Sequence, residues 1–126
     1  MITWILWALI LAMLAWMGFN YLRIRRAAKI VDNEEFESLI RTGQLIDLRD
    51  PAEFHRKHIL GARNIPSSQL KTSLAALRKD KPVLLYENQR AQRVTNAALY
   101  LKKQGFSEVY ILSYGLDSWK GKVKTS

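Results

Sequence analysis

Cysteine is absent from the 126 residues. That absence removes disulfides, thiolate metal sites, redox pairs and every mechanism that needs the protein's own thiol nucleophile. Histidine is scarce: His55 and His58, three apart and without thiolate partners, form a pair that seldom binds metal. No metal and no cofactor are expected. Acidic residues are in deficit, 11 against 20 Lys+Arg, for a formal charge of +9. Internal repeats, low-complexity tracts, a phosphate loop and a dinucleotide fingerprint are missing too. Ser67, Ser68 and Ser73 lack the setting of a nucleophile elbow. The length admits one domain plus an appendage. A hydrophobic content of 48% with 25% charged residues argues against disorder for the bulk of the chain.

Charge is also missing from the first 22 residues, MITWILWALILAMLAWMGFNYL. A helix of that length rises roughly 30 Å, the thickness of a bilayer's hydrocarbon core. Trp4, Trp7, Trp16 and Tyr21 fall in its outer turns, where amphipathic rings favour the interface. Arg23, Arg25, Arg26 and Lys29 follow at once, and cations after an apolar span are retained on the cytoplasmic side. The reading is a single-pass anchor in the cell membrane, N-terminus outside and C-terminal domain cytoplasmic. A cleaved signal peptide would need positive charge before its apolar stretch. Residues 30–126 keep 16 Lys+Arg and 11 Asp+Glu. That excess suits residence beside an anionic leaflet. Nucleic acid is not expected as a partner, because basic residues do not interleave with aromatics.

The remainder alternates between apolar runs and helical spacings. Asp32, three residues before Glu35, has a capping-box pattern, and Phe36, Leu39 and Ile40 fall on one helix face with Gly43 as a left-handed stop. Leu45–Leu48, Ala62–Ile65, Val83–Tyr86 and Val109–Leu112 read as strands. Pro51 suits a first helical turn. Leu70, Leu74 and Leu77 make one helix face, Val94, Ala97, Ala98 and Leu101 another, and Leu116–Trp119 a short last helix. Strands apolar on both sides, alternating with helices, predict an α/β fold with a mostly parallel sheet flanked by helices. Ligands of such folds gather at the strand ends, here after Leu48, Tyr86 and Leu112.

Four segments in order, LIDLRDPAEF (45–54), HILGARNIP (58–66), AALYLKKQGF (97–106) and LSYGLDSWKG (112–121), resemble the rhodanese-like domain family, in the membrane-anchored bacterial type that lacks the catalytic cysteine. LIDLRDPAEF (45–54) is similar to its first signature, with Asp47, Arg49 and Glu53 in place. HILGARNIP (58–66) is similar to the segment that follows, with His58 and Gly61. AALYLKKQGF (97–106) matches the helix behind the active loop. LSYGLDSWKG (112–121) resembles the closing motif, with Gly115 and Trp119, and Tyr114 in place of its first glycine. The resemblance implies a rhodanese-like fold over residues 29–122, after a transmembrane helix at 1–22 and a basic linker at 23–28, with a tail at 123–126. It also implies structural roles for Asp47, Arg49, Glu53, His58, Gly61, Gly115 and Trp119.

In the family's sulfurtransferases a cysteine ends the fourth strand, and the loop after it aims amides at the sulfur and ends in arginine. The corresponding stretch here is Glu87, Asn88, Gln89, Arg90, Ala91, Gln92, Arg93. Counted from the strand, Glu87 takes the cysteine's place; a slip of one residue would bring Asn88 to face the site instead. Counted back from the helix, Arg93 takes the place of the loop arginine, and the loop is one residue longer than in a typical sulfurtransferase. The count also resembles the longer loops of rhodanese-fold phosphatases. Three readings stay open: a Glu87 carboxylate that caps the helix internally, an anion pocket at Arg90 and Arg93, and solvated arginines on an exposed loop. A carboxylate is a poor sulfur nucleophile and stores no sulfane sulfur, so no catalytic residue is expected. The expected task is a membrane-tethered, catalytically inactive binding or adaptor module with a protein partner. The rivals are sulfurtransferase- or phosphatase-type activity through a partner's thiol, and oxyanion sensing at the loop.

Overall fold

A computed structural model describes residues 2–89 and 92–125. The uncharged run is helical, and α1 (Ile2–Ala27) continues through the basic stretch expected as a linker. Ile2–Leu22 is long and apolar enough to cross a membrane. Its large side chains, Trp4, Leu9 and Trp16 among them, are exposed. An apolar helical span whose side chains are left exposed is a candidate membrane span.

Ala28 alone separates α1 from the first strand of a five-stranded sheet. Its strands are β1 (Lys29–Val31), β2 (Gln44–Asp47), β4 (Arg63–Asn64), β5 (Val83–Tyr86) and β6 (Val109–Leu112). They run in the order β1-β6-β5-β2-β4, and every pairing is parallel. β3 (His58–Ile59) and β7 (Val123–Lys124) form a separate antiparallel pair. Both faces of the parallel sheet are covered, which is why β5 carries four buried residues and no charge. Val83 and Leu85 point to one side, against Val94, Ala97, Ala98 and Leu101 of α4 (Gln92–Lys103) and against Leu70 and Leu77. Leu84 and Tyr86 point to the other, against Phe36 of α2 (Asn33–Ile40), Ile59, Leu112 and Leu116. Full burial of each such side chain contributes roughly 1.5–3 kcal/mol.

The helix starts follow their local chemistry. Asp32 accepts from the Glu35 amide at 2.9 Å and starts α2. Pro51 opens α3 (Pro51–Arg56) in its first turn, where a missing amide hydrogen costs nothing.

Several local expectations are corrected. Gly43 does not have a positive φ; among glycines those are Gly61, Gly105 and Gly115. Gly43 is needed for space, because a Cβ there would collide with the Leu84 side chain. The Leu70–Leu77 face is carried by two 3-10 segments, Ser67–Gln69 and Lys71–Ala76, and not by one α-helix. The Ala62–Ile65 run pairs only through Arg63 and Asn64. Val123 and Lys124, read as tail, pair with Ile59 and His58. Leu116–Ser118 forms the short last helix, of 3-10 type.

Candidate functional site

Because β2, β5 and β6 are parallel and in register, their C-terminal ends lie along one edge of the sheet. The three loops expected to hold ligands therefore meet. The Leu48 amide donates to the Tyr86 carbonyl at 3.1 Å, and the amides of Leu116 and Asp117 donate to the carbonyls of Glu87 and Asn88 at 2.8 and 3.0 Å. Gly115 permits this approach. Its φ is +69°, and a Cβ would lie 2.5 Å from the Glu87 carbonyl oxygen.

Arg49 is the hub of this edge. It is buried, and it holds both carboxylate oxygens of the equally buried Asp47 through Nε at 3.1 Å and Nη2 at 2.8 Å. Nη2 also donates to the Lys57 carbonyl. Nη1 donates to Asn88 Oδ1 at 2.9 Å, and Asn88 Nδ2 donates to Glu53 Oε2 at 2.7 Å. Burial alone would lower the Arg49 pKa, but the hydrogen bond and charge of Asp47, helped by Tyr86 and Glu53, raise it above its ordinary value. The guanidinium is a permanent cation whose planar fork suits such a carboxylate. Tyr86 lies beneath, its hydroxyl accepting from the Ile59 amide at 3.1 Å. Burial, with the neighbouring Asp47 carboxylate, pushes that hydroxyl well above the usual tyrosine range. Asn64 Nδ2 donates to the Asp47 and Arg49 carbonyls at 3.2 and 2.9 Å and ties β4 to the hub.

Glu87 and Asn88 divide the two roles that the sequence left open between them. Glu87, 8% exposed, turns its carboxylate to the start of α4, where Oε2 accepts from the Val94 amide at 2.8 Å. The positive end of the helix thus receives a carboxylate from its own chain. Asn88 turns the other way, into the Arg49–Glu53 network. Gln89 reaches Asp117 Oδ2 at 3.3 Å, and Gln92 reaches Asn96 Oδ1 at 2.8 Å. Arg93 is exposed and lines a groove of about 370 Å³ with Ser67, Ser68, Lys71, Asn96 and Tyr100. Arg90 and Ala91 lie outside the described residues, so the pairing of Arg90 with Arg93 in one anion pocket has no geometry to rest on.

The His58 ring stacks on Phe54 with centroids 3.8 Å apart, and its Nδ1 bonds the Phe54 carbonyl at 2.8 Å. Gly61 holds a positive φ of 91° in the turn between β3 and β4. Trp119 meets Phe36 edge-on at 5.8 Å and donates to the Lys122 carbonyl at 3.4 Å.

The bridging role of Asn88, the Tyr86 hydroxyl and the Asn64 tie were not foreseen. Two signals for them stood in the sequence. Asn64 lies in the NIP segment, and a tyrosine hydroxyl on a strand of otherwise apolar residues needs a buried partner.

Glu87 is an acceptor engaged by the Val94 amide, and Asp47 and Arg49 bond each other. Among the described residues no three His, Asp or Glu side chains gather as metal ligands.

Comparison with known proteins agrees with this geometry. The rhodanese-like domain profile matches residues 32–122. The uncharacterized protein YqhL of Bacillus subtilis is 46% identical over 113 residues, covering 90% of this chain and 89% of its own length. A match that wide extends beyond the domain into α1. The thiosulfate sulfurtransferase GlpE of Stutzerimonas stutzeri is 36% identical over 95 residues, covering 73% of this chain and 84% of its own. Among solved structures, the rhodanese-like domain of the Anabaena protein Alr3790 superposes with a TM-score of 0.68 at 23% identity, over 76% of this chain and 78% of that one. A buried arginine hub and a strand-end loop seated against a helix start, in this order along the chain, thus place the protein in the rhodanese-like domain family, as a member without a cysteine.

Proposed function

We propose that the protein is a membrane-tethered, catalytically inactive rhodanese-like module that binds a protein partner as an adaptor. The observation that carries this reading is the Glu87 carboxylate, seated at the end of β5 and bound to the Val94 amide in a chain without cysteine. Persulfide transfer needs a thiolate that attacks sulfur and later releases it; a carboxylate held by a helix amide does neither. The apolar Ile2–Leu22 stretch, with Arg23, Arg25 and Arg26 after it, supports a single-pass anchor with the domain in the cytoplasm. Tethering raises the effective concentration of the domain beside membrane partners, which serves an adaptor as well as an enzyme.

The test has two arms. Purified full-length protein, incubated with thiosulfate and a thiophilic acceptor, should give no turnover above buffer, and clear turnover would end the inactive reading. Cross-linking in native membranes should capture a defined protein partner, and capture of nothing would remove the adaptor reading. Activity that arises only when a cysteine protein is added would favour chemistry through a partner's thiol.

The groove beside Arg93 favours oxyanion sensing as a second reading, since Lys71 and two serine side chains line it as well. A rise in melting temperature with phosphate or sulfate would support it, because a ligand of the folded state stabilises by mass action.

A further inference from the structure

The parallel register that brings Glu87 and Arg49 together also gathers the first residues of β1, β6, β5 and β2 along the opposite edge of the sheet. α1 joins at that opposite edge, with only the buried Ala28 between helix and strand. From Leu22 to Ala27 the helix rises roughly 8 Å. That matches the Debye length at physiological salt, about 8 Å. Whatever lies at this edge is therefore within electrostatic reach of a membrane that α1 leaves.

Basic side chains lie there. Arg41 follows α2, Lys79 and Lys81 precede β5, and Lys102 and Lys103 end α4; all five are exposed. Lys79 Nζ stands 5.9 Å from the Phe106 ring centroid, which places it beside the turn that follows α4. The acids at this edge are Glu108, Asp80, which is held by Arg78 at 2.6 Å, and Glu35, which pairs with Lys29 at 3.2 Å. The loop edge, by contrast, carries Asp47, Asp50, Glu53, Glu87 and Asp117 against Arg49, Lys57 and Arg93, a balance on the acidic side. The domain is polarised, with its positive end next to the apolar helix.

We propose that this edge is a lipid-facing surface: Arg41, Lys79, Lys81, Lys102 and Lys103 bind the anionic headgroups of the leaflet from which α1 emerges. The domain is thereby held with its Glu87 loop pointing away from the bilayer, toward the aqueous phase. This inference rests on the anchor reading and deepens it.

The test uses the full-length chain in nanodiscs of phosphatidylcholine alone and of phosphatidylcholine with phosphatidylglycerol. Amine labelling of each lysine is followed by mass spectrometry. In the anionic discs, labelling of Lys79, Lys81, Lys102 and Lys103 should slow by about fivefold each at low salt, the factor expected for one basic residue at an anionic surface. Labelling of Lys57 and Lys120 should not change, and high salt should restore the rates. In K102Q/K103Q the remaining slowing at Lys79 and Lys81 should shrink. Equal labelling in both discs would overturn the surface and leave the anchor standing. Equal slowing in both relative to the chain in detergent micelles would mean steric shielding and would overturn recognition of charge. Failure of the chain to enter either disc would overturn the anchor reading and this inference with it.

Discussion

Removing the Glu87 carboxylate tests the loop most directly. In E87A the Val94 amide at the start of α4 loses its acceptor, which lies at 2.8 Å in a buried position. A buried donor left unmatched costs about 1–3 kcal/mol. Loss of a negative charge at a helix start adds about 0.3–1 kcal/mol. Together these predict a loss of about 1–4 kcal/mol, which for a domain of this size lowers the melting temperature by roughly 5 °C or more. E87Q keeps an oxygen acceptor and gives up only the charge, so its loss should be about 1 kcal/mol or less. The sharper assay is hydrogen exchange on the full-length chain in micelles, because it reads the Val94 amide itself. Its protection should fall by at least about tenfold in E87A, while the β5 amides change less. Two results would refute the reasoning. An unchanged melting temperature and unchanged Val94 exchange in E87A would mean that the carboxylate closes nothing. Equal losses in E87Q and E87A would place the effect in the charge and not in the hydrogen bond.

R49M should cost about 3–5 kcal/mol in denaturant unfolding, because it leaves the buried Asp47 carboxylate without its partner; R78A, which breaks the fully exposed pair with Asp80, should leave the midpoint where it was. G115A should lose about 2–4 kcal/mol and loosen the Glu87–Asn88 loop, since its Cβ would collide with two backbone carbonyls at a positive φ. Raised in the fold, the Tyr86 pKa predicts an alkaline loss of stability. The folded state keeps the hydroxyl protonated while the unfolded chain ionises it, so stability is full below about pH 10 and declines as pH rises beyond that value. In Y86F that share of the decline should vanish from melting curves taken across the range. E87C should put a thiol at the end of β5 beside the α4 amides. Exposed to thiosulfate, its thiolate should take the outer sulfur and release sulfite, seen as a mass gain of one sulfur atom; no gain would mean that more than the nucleophile is missing.

The fold was largely legible because burial writes itself into hydrophobic periodicity. Val83–Tyr86 and Val109–Leu112 are apolar throughout since helices cover both sheet faces, and Val94, Ala97, Ala98 and Leu101 mark the side of α4 that meets the core. Spacing was a poor guide where two structures share it. Leu70, Leu74 and Leu77 put two buried residues and one half-buried one on the core from 3-10 segments as readily as from an α-helix. β3 and β7 are two residues long, too short to show any period. At the site, the motif pointed to Asp47, Arg49 and Glu53. It did not say that Asn88 would join Arg49 to Glu53, because the alternation of a strand ends with the strand and the loop decides where the next two side chains turn.

That division between Glu87 and Asn88 explains how the fold keeps its shape without its sulfur. The hub pulls on the loop from β2: Arg49 holds Asn88, and Asn88 holds Glu53. The start of α4 pulls from the other side through Val94 and Glu87. Beneath both, the amides of Leu116 and Asp117 fix the carbonyls of the same two residues. Two adjacent residues are thus tied to β2, to α4 and to the turn after β6 at once. A persulfide-bearing loop must leave its amides free for a charge that arrives and departs during the reaction. Here that charge is built in, as a side chain that never leaves. The Glu87 carboxylate supplies the anion that the helix start favours and ties the loop to α4. Groups on the outside of the loop, Gln89, Gln92 and Arg93 among the described residues, remain turned toward anything that docks there.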